Sequence, residues 1–391
     1  MERAPNDASG ACALERSALW FFASPALSSD PAAFLRKHSA TPAQSPERRR
    51  LRFRDVVVLP FHFLAIFTGA KSFADNPVLG SRTLNALGLH TWRLKAAHGL
   101  ANFRRGHLAG GLPADQREAF DRDGFVVVRD LLPQEDFETL RSQLFAMALD
   151  SREQQQGDTI TRRVPIGPQL RGGLPILDRL LDSPGWKGLL AYVASTRSEP
   201  LYYMQTIFGG FADGPADPQL DLHADTFHPS LKAWFFLTDV RDDDRPLTYV
   251  SGSHRLTPQR LEWERKKSLA VMNSGHRLSQ RGSLRVSPGE LPDLGLPQAT
   301  RFCVPANTLV VADTCGFHAR GDAEGRTVRV EIWAYARRTP FLPWTGFDPL
   351  AWRSVARRRA EWFAAIMDWL DRRGLAKQHW ARVGAKRPDV P

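Results

Sequence analysis

The spacing of hydrophobic positions divides the chain into a helical start, a region of short strands and a helical end. Residues 199–340 contain short runs of β-branched and aromatic residues that are separated by glycine, proline and aspartate. Several short strands at this spacing are typical of a β-sandwich or barrel. The strands are predicted in the segments LYYMQTIFGG, KAWFFLTDV, LTYVSGS, TRFCVPANTLVVAD and RTVRVEIWAYAR. The pattern therefore predicts a core that is mainly β.

Helical patterns lie on both sides of this region. The segment PADQREAFDRDGFVVVRDLLPQEDFETLRSQLFAMAL predicts a helix capped by Asp115, a short strand after Gly124, and a second helix that begins after Pro133 and ends near Leu149. A C-terminal helix is predicted from DPLAWRSVARRRAEWFAAIMDWLDRRG. Its apolar stripe is formed by Trp352, Trp362, Ile366 and Trp369.

The first 111 residues differ in character from the rest. Residues 1–50 are rich in Ala, Ser and Pro, and they predict a loosely ordered segment with one short helix near Ala18–Phe22. Residues 51–111 combine the apolar run 56–70 with a basic amphipathic stretch. The run has 15 residues, whereas a membrane-spanning helix needs about 20 apolar residues. Two interpretations are open, namely contact with a membrane surface and a helical cap on the following domain.

The composition is that of a globular protein, with 42% hydrophobic and 24% charged residues among 391. The net charge of +11 favours an anionic partner, although Arg-rich proteins can also be basic without using the charge. Three cysteines at unrelated spacings and the absence of a signal peptide pattern predict a cytoplasmic protein, peripheral on the inner membrane if the apolar run contacts it. No glycine-rich phosphate loop is present, which argues against nucleotide-dependent chemistry.

Candidate chemistry is concentrated in the segment DLHADTFHPSLKAW. Residues i and i+2 of a strand share one face, so His223 and Asp225 present an imidazole beside a carboxylate. His228 has the opposite parity and is predicted to face away, with ligand, substrate-contact and structural roles all left open. His318, which follows an apolar strand, is the best third ligand. Two histidines and one carboxylate form the facial triad of non-haem Fe(II) oxygenases.

The strand after His318 supplies two arginines, Arg326 and Arg329. A planar guanidinium is the natural bidentate partner for the distal carboxylate of an oxo-acid cosubstrate. An H-x-D motif, a long gap and a histidine followed by arginine together indicate an iron site far more strongly than H-x-D alone.

These motifs resemble the phytanoyl-CoA dioxygenase-like family of Fe(II)/2-oxoglutarate oxygenases over roughly residues 112–340. The resemblance is carried by AFDRDGFVVVRDLL, LHADTFHPSLKAWFFLTDV, LTYVSGSHR and FHARGDAEGRTVRV. It implies a double-stranded β-helix, a cupin-like jelly roll of two packed sheets with supporting helices. We expect this domain to span residues 112–345, between the extension at 51–111 and a C-terminal helix and tail at 346–391.

The resemblance also implies a set of site residues. The Fe(II) ligands are implied to be His223, Asp225 and His318. The implied 2-oxoglutarate pocket contains Arg329, or Arg326 if the loop is short, together with Trp234 and the weaker candidate Gln205. The implied reaction consumes 2-oxoglutarate and O2, releases succinate and CO2, and hydroxylates an organic substrate. Hydroxylation is favoured over halogenation because a halogenase vacates the carboxylate position that Asp225 fills.

Two features depart from the family pattern. Ala319 follows the distal histidine where the family often has glycine, and the segment Leu256–Thr300 is long and basic. We predict that this segment is a lid or substrate loop. His254, in the turn SGSHR, is predicted to stabilise that turn. The remaining histidines of the extension are predicted to be core or interfacial residues, namely His62, His90, His98 and His107.

Three functions remain open from the sequence. The first is a hydroxylase of a membrane-associated lipid or a lipopolysaccharide sugar of the Kdo type, since the N-terminal segment resembles those of bacterial cell-envelope members. The second is a soluble hydroxylase of an acyl thioester or a small secondary metabolite. The third is a basic nucleic-acid-binding protein without catalysis. No RNA-recognition, helix-turn-helix or zinc-finger pattern is present, so a nucleic-acid partner is not expected.

Overall fold

Antiparallel strands in two sheets form the centre of the computed structural model, which describes residues 53–346 and 352–391. The strands are β1 (Phe125–Val128), β2 (Leu149–Gln156), β3 (Thr159–Pro165), β4 (Leu201–Gly209), β5 (Leu231–Phe236), β6 (Leu247–Tyr249), β7 (Thr300–Arg301), β8 (Leu309–Asp313), β9 (His318–Arg320), β10 (Thr327–Ala336) and β11 (Ala381–Lys386). The larger sheet has the order β1-β8-β5-β10-β4-β3-β2-β11, and the smaller has the order β7-β6-β9. This arrangement confirms the predicted jelly-roll core.

Helices surround the sheets. They are α1 (Phe53–Leu64), α2 (Arg82–Ala86), α3 (Leu89–Leu108), α4 (Ala114–Asp123), α5 (Gln134–Ala146), α6 (Pro168–Gly173), α7 (Pro175–Asp182), α8 (Pro184–Ala194), α9 (Pro258–Ala270), α10 (Arg277–Gln280), α11 (Arg353–Ala356) and α12 (Arg359–Arg372). The short helix predicted near Ala18–Phe22 lies outside the described residues.

The side chains of β10 alternate between two layers, as the pleat of a strand requires. Val330 and Ile332 pack against helix residues such as Leu140 and Leu189 on the outer face of the larger sheet. Trp333 belongs to a second apolar cluster, which lies between the two sheets. The space between the sheets is therefore reached by every second residue of β10, and the predicted site residue Arg329 shares the parity of Trp333.

Some predicted element boundaries were wrong. Helix α4 begins at Ala114 with Pro113 at the N-cap position, and Asp115 lies in its first turn, where a carboxylate favours the positive end of the helix. Helix α5 ends at Ala146 because Leu149 already begins β2. The sequence does not predict the hairpin of β2 and β3, since LDSREQQQ contains few β-formers.

Four basic residues of helix α3, namely His90, Arg93, Arg104 and Arg105, are buried in the protein. Arg105 forms a buried ion pair with Asp313 at 2.8 Å, and Arg104 donates to the main-chain oxygen of Ser195 at 2.8 Å. His90 pairs with the buried Glu264 at 2.9 Å. These contacts favour the interpretation of α3 as a helical cap on the β core.

The apolar part of the extension, in contrast, lies at the surface. Five large side chains of α1 and the turn after it are between 38% and 62% exposed, namely Leu59, Phe61, Phe63, Leu64 and Phe67. Within the described residues, no helix combines the length and the hydropathy that crossing a bilayer requires.

The predicted C-terminal helix is present as α12, but its predicted apolar stripe does not face the core. Trp352, Trp362, Ile366 and Trp369 are between 45% and 70% exposed, while Ala360 and Leu370 are the buried positions of α12. The amphipathic pattern therefore located the helix and not the face that packs.

Candidate metal centre

Main-chain hydrogen bonds bring the three predicted ligands together. The amide of each of His223 and His318 donates to the other residue's carbonyl at 3.0 Å, so the two are direct cross-strand neighbours. The amide of Asp225 donates to the carbonyl of Thr314 at 2.9 Å. The segment around the H-x-D motif therefore lies antiparallel to the chain that leads into β9, and this pairing sets the triad.

The side chains of the triad converge on one point. One potential ligand atom from each of His223, Asp225 and His318 lies within 4.8 Å of the other two. The Nε2 atom of His223 is 3.7 Å from Oδ1 of Asp225, and that of His318 is 3.6 Å from Oδ2. These three donors fit the facial arrangement that binds a divalent metal and leaves positions open.

Hydrogen bonds on the far side of each imidazole fix its orientation. Nδ1 of His223 donates to the carbonyl of Asp221 at 2.8 Å, and Nδ1 of His318 donates to that of Gly316 at 3.0 Å. Because a carbonyl only accepts, Nδ1 carries the proton and Nε2 keeps its lone pair for a metal. The buried Nε2 atom of His318 has no hydrogen-bond partner among the described residues. A buried imidazole nitrogen without a protein partner, facing the other two donors, fits a metal-binding role.

The electrostatics of the triad favour the protonation states that metal binding needs. Burial lowers the pKa of His223 well below its usual value and that of His318 to about 4. Burial alone would raise the pKa of Asp225, but the Lys232 ammonium group and the two facing imidazoles together hold that pKa well below its usual value. At neutral pH both imidazoles are therefore neutral and the carboxylate is ionised.

His228 does not join the triad. Its Nδ1 atom donates to the carbonyl of Pro229 at 2.9 Å, and its Nε2 atom accepts from Arg337 at 3.3 Å. Its ring is buried beside Phe227. This placement agrees with the predicted parity and with the structural alternative for His228.

The residues predicted for the cosubstrate pocket lie in different places. Trp234, Gln205 and Arg329 are buried on the inner face of the larger sheet, where Trp234 pairs across the strands with Trp333. Arg326 is exposed, and its guanidinium packs over an aromatic ring at the surface. The interior position of Arg329 favours it over Arg326.

A polar network lies on this inner face, and two of its members, Arg163 and Glu331, were not predicted from the sequence. Arg329 donates to Glu331 at 2.9 Å, and Gln205 donates to the other oxygen of Glu331 at 2.6 Å. The guanidinium of Arg163 donates to Gln205 at 2.7 Å and stacks over Trp333. Glu331 follows Arg329 by two residues, so strand parity could have identified it.

Four cations lie near Asp225 or near Lys71, and we call them the cationic cluster: Lys71, Lys232, Arg285 and Arg337. Lys232 pairs with Oδ2 of Asp225 at 2.7 Å, and Lys71 donates to the main-chain oxygen of Asp225. Arg285 forms an antiparallel bridge with His223. Burial, and after it the Arg337 guanidinium, lower the pKa of Lys71 to about 7. Only Lys232, two residues before Trp234 on the same strand, carried a sequence signal.

The segment Leu256–Thr300, predicted as a lid or substrate loop, packs directly beside the triad. The amide of Ala224 donates to the carbonyl of Leu284, and the amide of Val286 donates to that of Leu222, each at 3.0 Å. Helix α9 of the same segment packs against α2 and α3. The H-x-D segment therefore lies between β9 and this segment, which brings Arg285 to the metal centre.

Comparison with known proteins agrees with the resemblance predicted from the sequence. Residues 120–284 match the model of the phytanoyl-CoA dioxygenase (PhyH) family. The chain is 28% identical over 169 residues to an ectoine dioxygenase from Bordetella bronchiseptica, and this match covers 39% of the chain and 53% of the relative. The chain thus spans about half the length of that relative. The predicted resemblance to this oxygenase family is confirmed.

Two solved structures are also similar. One is the epimerase SnoN in complex with Fe3+, α-ketoglutarate and nogalamycin RO, with 20% identity and a TM-score of 0.38 over 60% of this chain and 92% of that one. The other is HygX from Streptomyces hygroscopicus with nickel and 2-oxoglutarate bound, with 18% identity and a TM-score of 0.33 over 57% and 86%.

Proposed function

We propose that the protein is an Fe(II)/2-oxoglutarate-dependent dioxygenase that hydroxylates an organic substrate. The observation that carries this proposal is the convergence of two neutral imidazoles and one ionised carboxylate, His223, His318 and Asp225, within 4.8 Å of one another. Bound Fe(II) with 2-oxoglutarate and O2 would supply oxidising power while the cosubstrate is converted to succinate and CO2. The match to the PhyH family model over residues 120–284 supports the same reaction class.

The residues of the chain have separate roles in this proposal. The triad holds the metal on one face, and the carbonyls of Asp221 and Gly316 keep both imidazoles aimed at it. Arg329 binds the distal carboxylate of 2-oxoglutarate, with Gln205 and Trp234 in the wall of the same pocket. The apolar cluster between the sheets excludes water from the reacting atoms.

The proposed activity is tested by 2-oxoglutarate turnover in the absence of a hydroxylatable substrate. We expect Fe(II)-dependent succinate release from the wild type and a loss of at least 100-fold in Asp225→Ala. Asp213→Ala is the matched control because Asp213 is an exposed carboxylate outside the triad. Equal succinate release from the wild type and Asp225→Ala would refute the proposed metal site.

We further propose that the exposed side chains of α1 contact the inner membrane surface and that the substrate is a membrane-associated lipid or a lipopolysaccharide sugar of the Kdo type. Support comes from the contiguous exposed apolar residues of α1 and the turn after it, which end only a few residues before Lys71 of the cationic cluster. An apolar helix face on a basic protein is suited to an anionic bilayer surface.

Co-sedimentation with vesicles of phosphatidylethanolamine and phosphatidylglycerol tests the membrane contact. We expect the wild type to bind and the double variant Phe61→Ser, Phe63→Ser to lose most of that binding. Met272→Ser removes an equally exposed apolar side chain elsewhere and is the control. If none of the three proteins binds, the alternative of a soluble hydroxylase acting on an acyl thioester or small metabolite is favoured.

A further inference from the structure

The cationic cluster contains more positive charge than its surroundings neutralise. Its members come from four separate parts of the chain: Lys71 from the extension, Lys232 from β5, Arg285 from the segment Leu256–Thr300 and Arg337 from the residue after β10. Lys232 is neutralised by Asp225 at 2.7 Å. Arg285 has the nearby carboxylate of Asp221 to stabilise its charge.

Lys71 and Arg337 have no carboxylate partner of their own. Lys71 is 5% exposed, and its ammonium group donates to the main-chain oxygen of Asp225. Arg337 donates to the carbonyl of Gly69 and to Nε2 of His228. Among the described residues, neither forms an ion pair. Asp225 stabilises the charge of Lys71, but Lys232 already neutralises that carboxylate. A buried lysine and a half-buried arginine that lie together without a carboxylate of their own favour a bound anion there.

Contacts with two other parts of the chain hold Lys71 in position. Arg93 of α3 donates to the carbonyls of Ile66, Thr68 and Ala70 at 2.7–2.9 Å and so holds the loop that leads to Lys71. On the other side, a Cβ atom on Gly282 would lie 2.1 Å from the carbonyl oxygen of Lys71. Residues of the extension and of the segment Leu256–Thr300 thus both pack against the chain at this lysine.

We propose that Lys71 and Arg337 form a subsite that binds an anionic group of the substrate, a carboxylate or a phosphate, beside the metal centre. The subsite rests on the proposed function in one respect, namely that the bound molecule is the substrate of the oxygenase. 2-Oxoglutarate does not neutralise this pair, because its distal carboxylate is assigned to Arg329 and its other end to the metal. An ammonium and a guanidinium together match the charge and the hydrogen-bonding oxygens of such an anion.

Anion binding by the full-length protein tests the subsite without turnover. Inorganic phosphate and acetate are titrated calorimetrically at constant ionic strength, with stoichiometric Mn(II) and saturating 2-oxoglutarate to fill the metal centre. We expect saturable binding of at least one anion to the wild type and at least tenfold weaker binding to Lys71→Gln and to Arg337→Gln. Lys95→Gln, which removes an exposed lysine of α3, is expected to bind like the wild type.

The comparison of the two anions identifies the source of the charge. Tighter phosphate binding indicates a phosphorylated substrate, and tighter acetate binding indicates an acid such as a sugar carboxylate. Arg337 is only half-buried, so Arg337→Gln keeps the test decisive if Lys71→Gln folds poorly. The subsite is refuted if both folded variants bind the anions like the wild type, or if the wild type binds neither. Absence of Fe(II)-dependent succinate release from the wild type in the earlier assay would instead refute the oxygenase proposal.

Discussion

The ammonium group of Lys232 lies 2.7 Å from Oδ2 of Asp225, the carboxylate that also faces both imidazoles of the triad. The lysine therefore keeps the carboxylate ionised and at the same time competes with a metal ion for it. This double role has opposite consequences for the protonation state of Asp225 and for its affinity for a divalent cation.

We expect Lys232→Met to bind Mn(II) about tenfold more tightly than the wild type, which corresponds to about 1.4 kcal/mol. The variant removes a positive charge that repels the metal and frees one carboxylate oxygen. Calorimetric titration with Mn(II) measures the effect, and Lys266→Met, at an exposed position of α9, is the control. Weaker metal binding would mean instead that Lys232 is needed to hold Asp225 in place.

A second Mn(II) titration distinguishes His318, the proposed third ligand, from His228, for which the sequence left a ligand role open. His318→Gln removes an unsatisfied Nε2 atom and is expected to weaken Mn(II) binding more than 100-fold. His228→Gln should change it less than threefold, because both ring nitrogens of His228 already have protein partners. Comparable losses in the two variants would contradict the assigned triad.

Substitution of the two candidate arginines is expected to affect the KM for 2-oxoglutarate differently. Arg329→Gln should raise the KM for 2-oxoglutarate about 100-fold, since charge-assisted hydrogen bonds to a carboxylate contribute about 1.5–3 kcal/mol each. Arg326→Gln, at an exposed position, should change the KM less than twofold. Because Arg329→Gln also leaves Glu331 without its guanidinium partner, thermal melting must first show that the variant is folded. A larger effect of Arg326→Gln would reverse the assignment.

The buried His254 is expected to make the free energy of unfolding decrease at acidic pH. Burial against Phe120 lowers the pKa of His254 to about 3, whereas in the unfolded chain it is about 6.5. The unfolded state therefore binds a proton that the folded state does not, and stability falls as the pH decreases from about 6.5 towards 3. Between pH 6.5 and pH 4 the loss is on the order of 3 kcal/mol.

His254→Leu removes this titration. We expect the free energy of unfolding, measured in urea between pH 7 and pH 4, to fall less steeply in the variant than in the wild type. His107→Leu, which removes a histidine near the surface of α3, is the control and should keep the wild-type slope. Parallel pH profiles for the wild type and His254→Leu would contradict the assignment.

The β core and the H-x-D part of the triad could be predicted because local rules were sufficient for them, whereas His318 was predicted from its place after an apolar strand and from the family resemblance. Strand parity separated His223 and Asp225 from His228, and the β-rich pattern of segments such as RTVRVEIWAYAR matched β10. The hairpin of β2 and β3 was missed because its side chains are largely polar. A polar strand carries no hydrophobic alternation to detect.

The features that the sequence did not predict depend on packing between distant parts of the chain. Arg93, Arg104 and Arg105 were interpreted as part of a basic stretch, yet each is buried because main-chain carbonyls or a buried carboxylate accept its hydrogen bonds. Lys71 and Arg285 reach the metal centre from segments outside the strands of the core. No periodicity in a single chain indicates that two such segments meet.

The buried pair of Arg105 and Asp313 has a consequence for any shortened form of this protein. Asp313 ends β8, only a few residues before the distal histidine, and its partner lies in the extension. A fragment that begins at residue 112 would keep every described strand and every triad residue. It would, however, leave the buried carboxylate of Asp313 without its counter-charge, which would lower the free energy of unfolding by about 3–5 kcal/mol. Helix α3 therefore supplies the counter-charge that the end of β8 needs, and we expect its removal to be tolerated only together with a neutral residue at position 313.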